Sequence, residues 1–576
     1  MLGGDSVNKQ GFLKGSMILL VTVAVTKALG LVYRIPLTRL LGGSGMGYFS
    51  SAFSVFTPIM AVAAAGIPST MARIAAENSA FERFSDLRRT KRIAMRLFTG
   101  IGLLLTIAVI VLSMPAARLF TGHSSAGYAI ACLAPALLFC TAMSVERGYY
   151  EGLRNMYPTA VSEIIETIFR LVLGLGAAYA VQHHALAEFA SSGTCFGAAC
   201  ADPAEAQQHA LPFVAAAATL GTSLSSGIAC ICLALRAKLR GDGITPQMLA
   251  KDPAVSRTGE IVRRLFAYSL PVALTALITT LAGMIDMLTV GHCAAAAIRT
   301  SPQTFAHLLG SGLTEQMLPN FIYGSYEALA AATAGIVPTL TAMLGKSALA
   351  AVTEDFAKGD TKAVDTHLDR MLTLCAMIAF PSALGISLFS EDILALLFSG
   401  RTAEIAAAAP SLRILGAAVA FMSLSLPCFT LLQALGKART ASVIMLAGGG
   451  VKLAGNLMLI RVPSLTLTGA AISTVLSEAF ICVSALSVTF RAAHAGLRIR
   501  NVIFKPCYVA VMSVAAAFAG RQMLINQDLF TISRPIITVF TLLFSVIMYG
   551  IVTFLLCETP KNVLNPCFCK KNRKNT

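Results

Sequence analysis

Charge is scarce in this chain. Only 13% of its 576 residues are charged, where soluble domains carry about a quarter. With 56% apolar residues and a mean hydropathy of +0.73, there is too little polar side chain to clothe a water-facing surface. That excludes a string of soluble domains, despite the length. Acidic residues are scarcer than basic ones, 28 against 45, for a net charge of +17. Nucleic acid is not the partner this excess suggests, because the basic residues come in short bursts between apolar runs. Such spacing is expected of loops held on the cytoplasmic side of a membrane.

Enzyme and metal signals are also missing. No His-Glu-x-x-His occurs, and of eight His only His183 and His184 are adjacent, so no metal site, cofactor or catalytic residue is expected. Gly345-Lys346-Ser347 resembles the end of a phosphate loop, but Leu340 stands where its first Gly belongs. No cleavable signal peptide is expected, since the first apolar stretch, 13–33, is too long for a signal core and no small-residue cleavage site follows it. Most of the 14 Cys lie in apolar runs (Cys132, Cys140, Cys230, Cys232, Cys375, Cys482), where Cys behaves as a small hydrophobe. Cys195 and Cys200 share a polar loop and could pair if it faces an oxidising space. Cys567 and Cys569 lack partners at metal spacing and are idle or lipidated.

What is present is a succession of apolar runs of membrane-crossing length, roughly 20 residues each. The runs are 13–35, 46–69, 94–114, 127–146, 159–181, 211–235, 267–290, 323–345, 369–390, 411–434, 441–460, 468–490, 505–524 and 535–556. The 45 Gly and 22 Pro residues are better tolerated in such helices than in soluble ones. An even number of spans puts both termini on one side. If that side is the cytoplasm, about 33 of the 45 basic residues fall inside and about 8 outside, as the positive-inside rule requires. One missed span would reverse every later loop and destroy the bias. The expected fold is an all-α polytopic membrane protein of about fourteen helices, in the cytoplasmic membrane. Its longest outer segment, 182–210, reads as a polar surface loop.

An internal repeat organises these helices. At a shift of 282 residues, Glu151-Gly-Leu-Arg-Asn falls on Gln433-Ala-Leu-Gly-Lys, and Arg170 falls on Lys452. A nearby shift lays Ala65-Gly66-Ile67 on Ala334-Gly335-Ile336. Two six-helix lobes, 1–240 and 241–500, would then be parallel copies about a pseudo-two-fold axis along the membrane normal, with substrate near mid-membrane. Two further helices at 501–557 and a basic cytoplasmic tail at 558–576 complete the chain.

A charge within the bilayer costs at least about 2.5–3.5 kcal/mol at the helix centre, which makes it a functional candidate. Lys27 and Arg34 stand seven apart on one face of the first span, with no acid nearby in sequence, and Arg39 follows. Such a cationic stripe suits an anion such as a diphosphate; snorkelling to the headgroups is the alternative for Arg34 and Arg39. Glu166 and Arg170 are four apart and can pair. Lys452, one turn before Asn456, is a ligand candidate with no such acid. Asp286 is the only acid of its span and is a candidate for gating or ion coupling, as is Glu166.

The stretch Lys27-Ala-Leu-Gly-Leu-Val-Tyr-Arg-Ile-Pro-Leu-Thr-Arg-Leu-Leu-Gly-Gly-Ser-Gly-Met-Gly resembles the first helix and loop of the multidrug/oligosaccharidyl-lipid/polysaccharide exporter superfamily. Arg147-Gly-Tyr-Tyr-Glu-Gly-Leu-Arg-Asn-Met-Tyr-Pro-Thr-Ala and Leu432-Gln-Ala-Leu-Gly-Lys-Ala resemble its stage V sporulation and polysaccharide-flippase branch. The resemblance implies two six-helix lobes, often with two extra helices, and export of lipid-linked sugars by alternating access. It places Lys27, Arg34 and Arg39 at basic positions of lipid II flippases, the middle one displaced by a residue. Those flippases also carry charge in the second helix, whereas 46–69 is uncharged. The expected function is a monomeric flippase for a polyprenyl-diphosphate-linked saccharide, contacting that cargo and membrane lipids. The alternatives are an ion-coupled multidrug exporter of the same superfamily, or a membrane enzyme acting on lipid-linked sugars. The exporter wants an acid in the first lobe, a role that Glu166 could fill. The enzyme needs a large outer loop with convergent polar groups.

Overall fold

The computed structural model describes residues 12–121, 124–250, 256–305, 317–357, 360–435, 437–493, 500–526 and 534–556. The basic tail, with Cys567 and Cys569, lies outside the described residues. By compactness the chain divides after Ala328, into Met1–Ala328 and Leu329–Thr576. The lobe boundary at 240, drawn from repeat symmetry rather than compactness, stays a proposal.

The first unit holds α1 (Phe12–Ala64), α2 (Ile67–Ala80), α3 (Phe84–Thr121), α4 (Ala126–Leu133), α5 (Pro135–Gly152), α6 (Tyr157–Ser192), α7 (Pro203–Arg240), the short α8 (Pro246–Ala250), α9 (Thr258–Thr300) and α10 (Leu318–Ser325). A two-stranded hairpin, β1 (Thr194–Cys195) and β2 (Ala198–Ala199), joins α6 to α7. A π-helical turn, Tyr326–Ala331, follows α10. The second unit holds α11 (Ala332–Ala334), α12 (Ile336–Ala357), α13 (Thr361–Leu388), α14 (Ser390–Leu397), α15 (Thr402–Ala434), α16 (Ala438–Leu459), α17 (Thr466–Ala493), α18 (Lys505–Asn526) and α19 (Arg534–Leu556). Its core gathers buried Cys375, Leu424, Cys428, Leu431, Cys482 and Ala485 from α13, α15 and α17.

Among the described residues, eleven helical runs are long and apolar enough to cross a bilayer. A twelfth arises if Leu318–Ala334 and Ile336–Gly345, bent by 41°, form one span. The count differs from the expected fourteen for two reasons. The last span is represented by the shorter apolar stretch Thr538–Ile551. The first two expected spans share one run, Met17–Ala80, of 64 residues. At 1.5 Å per residue it is about 96 Å long, roughly three bilayer cores. The break between them is Gly42, with φ 61° and ψ −172°, a conformation essentially reserved to glycine. Apolar side chains cover the outside of these helices: Leu104, Ile107, Val111 and Leu112 on α3 are all exposed, a surface suited to acyl chains and not to water.

Small residues allow the closest crossings. Gly148 and Gly152 lie four apart on α5, and a Cβ on either would strike the backbone of α2 at Pro68 or Ala72. This is the glycine spacing that lets membrane helices meet backbone to backbone. The two segments aligned by the repeat behave alike. Helix breaks at Gly66 before Ile67, and again at Gly335 before Ile336.

The outer segment 182–210 differs from the expected loop. Helix α6 runs on to Ser192 and α7 begins at Pro203, because the Ala-rich sequence favours helix. Asp202 caps α7 by accepting from the Glu205 N–H at 2.7 Å. Cys195 and Cys200 are free thiols here. Cys195 is buried, its Sγ 3.3 Å from the Ala206 carbonyl.

Candidate functional site

Helix α1 carries Arg34 into the first unit. Its neighbours on the buried side are Tyr33, Leu37 and Leu41, at helical spacing. Opposite stands α10, seated against the α1 bend: Gly43 and Gly47 leave room for Phe321 and Asn320, and the Asn320 amide donates to the Ser44 carbonyl. This packing delivers the π-helical turn after α10 to Arg34, whose Nη2 donates to the Glu327 carbonyl at 2.9 Å. A π turn widens the ladder and frees backbone carbonyls for such use, which is one reason these turns gather at functional sites. The Glu327 carboxylate and the Tyr323 phenol lie within electrostatic reach of the same guanidinium. Tyr323 Oη shares a hydrogen bond with Ser54 Oγ at 3.0 Å, and buried Asp286 of α9 lies nearby. Arg34 Nε is buried without a hydrogen-bond partner.

No acid lies near Arg34 in sequence, and the structure supplies one from a distant part of the chain. Glu327 is 293 residues away in the chain and arrives only through helix packing. Lys27, two turns earlier on the same face, is exposed and makes no hydrogen bond or ion pair among the described residues. Arg39 is exposed, three residues before the Gly42 break. Lys452 belongs to the second unit, half-buried on α16. One turn on, Asn456 is buried and accepts from the Ser473 hydroxyl.

A second polar centre sits between α5, α6 and α7. Glu166 is buried and fully engaged. Its Oε1 accepts from Arg170 Nη2 at 3.1 Å and from Ser226 Oγ at 2.9 Å. Its Oε2 accepts from Arg147 Nη2 at 3.1 Å. Arg147 Nε in turn donates to Ser162 Oγ at 2.8 Å. The i,i+4 pair of Glu166 and Arg170 is the one expected from spacing, and Arg147 is the addition. The two centres adjoin, for Tyr33 packs on Gly174 and its phenol lies within electrostatic range of Arg170.

A third cluster closes one end of the unit, where α3 begins and α5 and α7 finish. Asp242 accepts from Arg88 Nη2 at 2.9 Å, from Arg88 Nε at 3.2 Å and from Tyr149 Oη at 2.7 Å. Burial alone would raise the Asp242 carboxyl, but these donors, with the Ile244 N–H, outweigh it and hold it below the usual carboxylate range. Lys91 pairs with Glu146 at 2.8 Å and lies 4.3 Å over the Tyr149 ring.

Sequence reasoning missed Glu327, Tyr323 and Arg147 as members of these centres. The one signal available for Glu327 was its place at the start of an apolar run, where an acid is costly.

The family described as Polysaccharide biosynthesis protein matches residues 12–199, and the MatE family matches residues 326–458. Stage V sporulation protein B of Bacillus subtilis (strain 168) is 23% identical over 473 residues, which cover 81% of each chain. Lipid II flippase MurJ of the same organism is 21% identical over 517 residues, covering 88% of this chain and 87% of that protein. A solved structure of lipid II flippase MurJ, in an inward closed conformation, superposes with a TM-score of 0.65 at 12% identity. It covers 93% of this chain and 98% of that one, and at such identity it establishes the fold.

Proposed function

We propose that the chain is a member of the multidrug/oligosaccharidyl-lipid/polysaccharide exporter superfamily, a reading supported by its matches to the Polysaccharide biosynthesis protein and MatE families and to the two Bacillus subtilis relatives, and that it flips a polyprenyl-diphosphate-linked saccharide across the cytoplasmic membrane. The observation that carries the reading is Arg34, a guanidinium seated among apolar helices with its Nε left without an acceptor. A diphosphate supplies acceptors for the Arg fork, and Arg is matched to such geometry. Glu327 and Tyr323 hold the charge in place until cargo arrives. Lys27, exposed two turns away, extends the cationic face toward that cargo. Arg39, Arg170 and Lys452 complete the proposed set of phosphate-binding cations.

Transport by alternating access then needs no covalent chemistry, and the chain acts as a monomer with both termini in the cytoplasm. Asp286 and Glu166 are the acids proposed for gating or ion coupling. Protonating Glu166 would release Arg147 and Arg170, which is a ready means of linking a proton to helix movement. The test is flipping of a labelled lipid-linked saccharide by purified protein in proteoliposomes, normalised to inserted protein. The Lys27→Gln, Arg34→Gln double variant should insert normally and flip little. Undiminished flipping would overturn the cationic-site mechanism.

A further inference from the structure

The end cluster contains more positive charge than its own acids use. A cavity of about 460 Å³ opens beside it, within the range of small-molecule sites. Four cations line it, Arg88, Lys91, Arg92 and Arg96. Two are neutralised, Arg88 by Asp242 and Lys91 by Glu146. Arg92 and Arg96 form no ion pair among the described residues. They are four apart on α3 and so share one face, both exposed. Like charges at that spacing repel, and no acid among the described residues pairs with them.

A second observation is independent of the first. The Arg236 guanidinium of α7 lies 5.3 Å from the ring centroid of Tyr150, whose side chain lines the same cavity. Its Nη1 is buried with no hydrogen-bond partner. A buried N–H of a charged group without an acceptor is costly, and this guanidinium packs on a ring that lines the hollow.

The geometry points to a binding site for an anionic phosphate carried by a membrane lipid, the headgroup seated in the cavity and the acyl chains outside. The site is separate from the Arg34 centre and does not rest on the flippase reading. Arg92 and Arg96 grip the phosphate oxygens, while Arg88 and Lys91, tied to their acids, shape the walls. The exposed apolar side chains farther along α3, Leu103, Leu104 and Ile107, provide a surface for the lipid tails. Basic pockets at the ends of membrane helices are a recurring form of headgroup recognition.

The test uses the purified full chain in detergent, titrated with phosphatidylglycerol or with zwitterionic phosphatidylcholine, and counts retained lipids by native mass spectrometry. Wild type should retain phosphatidylglycerol preferentially, and the Arg92→Gln, Arg96→Gln variant should lose roughly tenfold in that retention. Both side chains are exposed, so the fold should survive. Arg236→Gln should move retention in the same direction, and Arg92→Lys with Arg96→Lys should keep part of it. Inorganic pyrophosphate at the lipid's concentration should not displace the lipid. Equal retention by wild type and the double Gln variant would overturn the site, and displacement by pyrophosphate would overturn its assignment to a lipid. The readout involves no transport, so failure here and failure of the flippase reading are separable.

Discussion

Arg34 Nη2 donates to the main-chain carbonyl of Glu327 at 2.9 Å. The bond ties the first membrane helix to a π-helical turn almost three hundred residues later. It uses one arm of the guanidinium and leaves Nε without a partner. An arginine so placed is positioned by the protein but not saturated by it.

Replacement of Arg34 should therefore separate anchoring from charge. Hydrogen bonds to charged groups are worth about 1.5–3 kcal/mol, so Arg34→Gln should slow flipping by about tenfold or more in proteoliposomes. Arg34→Lys keeps the charge but not the fork. If the cargo is held by two parallel bonds, Lys should recover little of the loss. Full activity of both variants would remove Arg34 from the transport path.

Glu166 offers a different test, because its oxygens serve two arginines and a serine. Glu166→Gln mimics the protonated acid and leaves both arginines without their counter-ion. Breaking a buried pair in this way costs about 3–5 kcal/mol. A lower melting temperature and less inserted protein are expected. If Glu166 also couples protons, flipping by the protein that remains should lose its dependence on pH. Unchanged stability would show that the Glu166 centre bears no structural weight.

How much of this was legible in the sequence depends on distance along the chain. Membrane spans are written locally, as apolar runs, and so the all-α polytopic fold could be read directly. Glu166 with Arg170 was legible for the same reason, being one helical turn apart. The expected runs 13–35 and 46–69 lie close together, and Gly42 between them is where the helix breaks. Arg34 with Glu327 and Arg147 with Glu166 were not legible, because nothing in a single sequence says which helix faces which. The helical extension of α6 and α7 into 182–210 was missed because polarity outweighed the helix preference of its Ala residues.

Asp242 should make stability pH-dependent at the end cluster. Its carboxyl is held below the usual range in the folded protein, chiefly by Arg88 and Tyr149 working against burial. A depressed folded pKa contributes stability above the unfolded value, near 3.9, and loses it as pH falls through the folded value. Wild type should thus melt higher than Asp242→Asn at neutral pH. The gap should stay level down to about pH 5 and shrink below about pH 4. A gap that widens in acid would contradict this assignment.

Gly148 tests the backbone crossing of α5 on α2. A side chain there meets the Pro68 carbonyl and the Met71 side chain. Overpacking of this kind costs about 1–3 kcal/mol, more where the obstacle is backbone. Gly148→Leu should lower the amount of folded protein recovered from membranes, measured by fluorescence-detected size exclusion. Gly176, whose added Cβ meets nothing within 4 Å, is the control: Gly176→Ala should be recovered like wild type.

Orientation is testable with the native cysteines, and the structure selects which. Cys195 is 1% exposed and lies in the hairpin between α6 and α7, so it reports poorly. Cys200 is only half-buried, and it lies in the same segment between α6 and α7. Burial and the Glu205 carboxylate push its thiol pKa up, so its thiolate fraction is small near neutrality and grows as pH rises. An impermeant maleimide applied to intact cells should label the protein faster at pH about 8.5 than at pH 7, and Cys200→Ser should remove that label. Cys567, in the basic tail, should react only after the membrane is permeabilised if the tail is cytoplasmic, as the positive-inside bias predicts. Labelling of Cys567 on intact cells, with Cys200 protected until lysis, would invert the topology. It would also move Arg92 and Arg96 to the outer face and require the basic loops to be outside, against the charge rule.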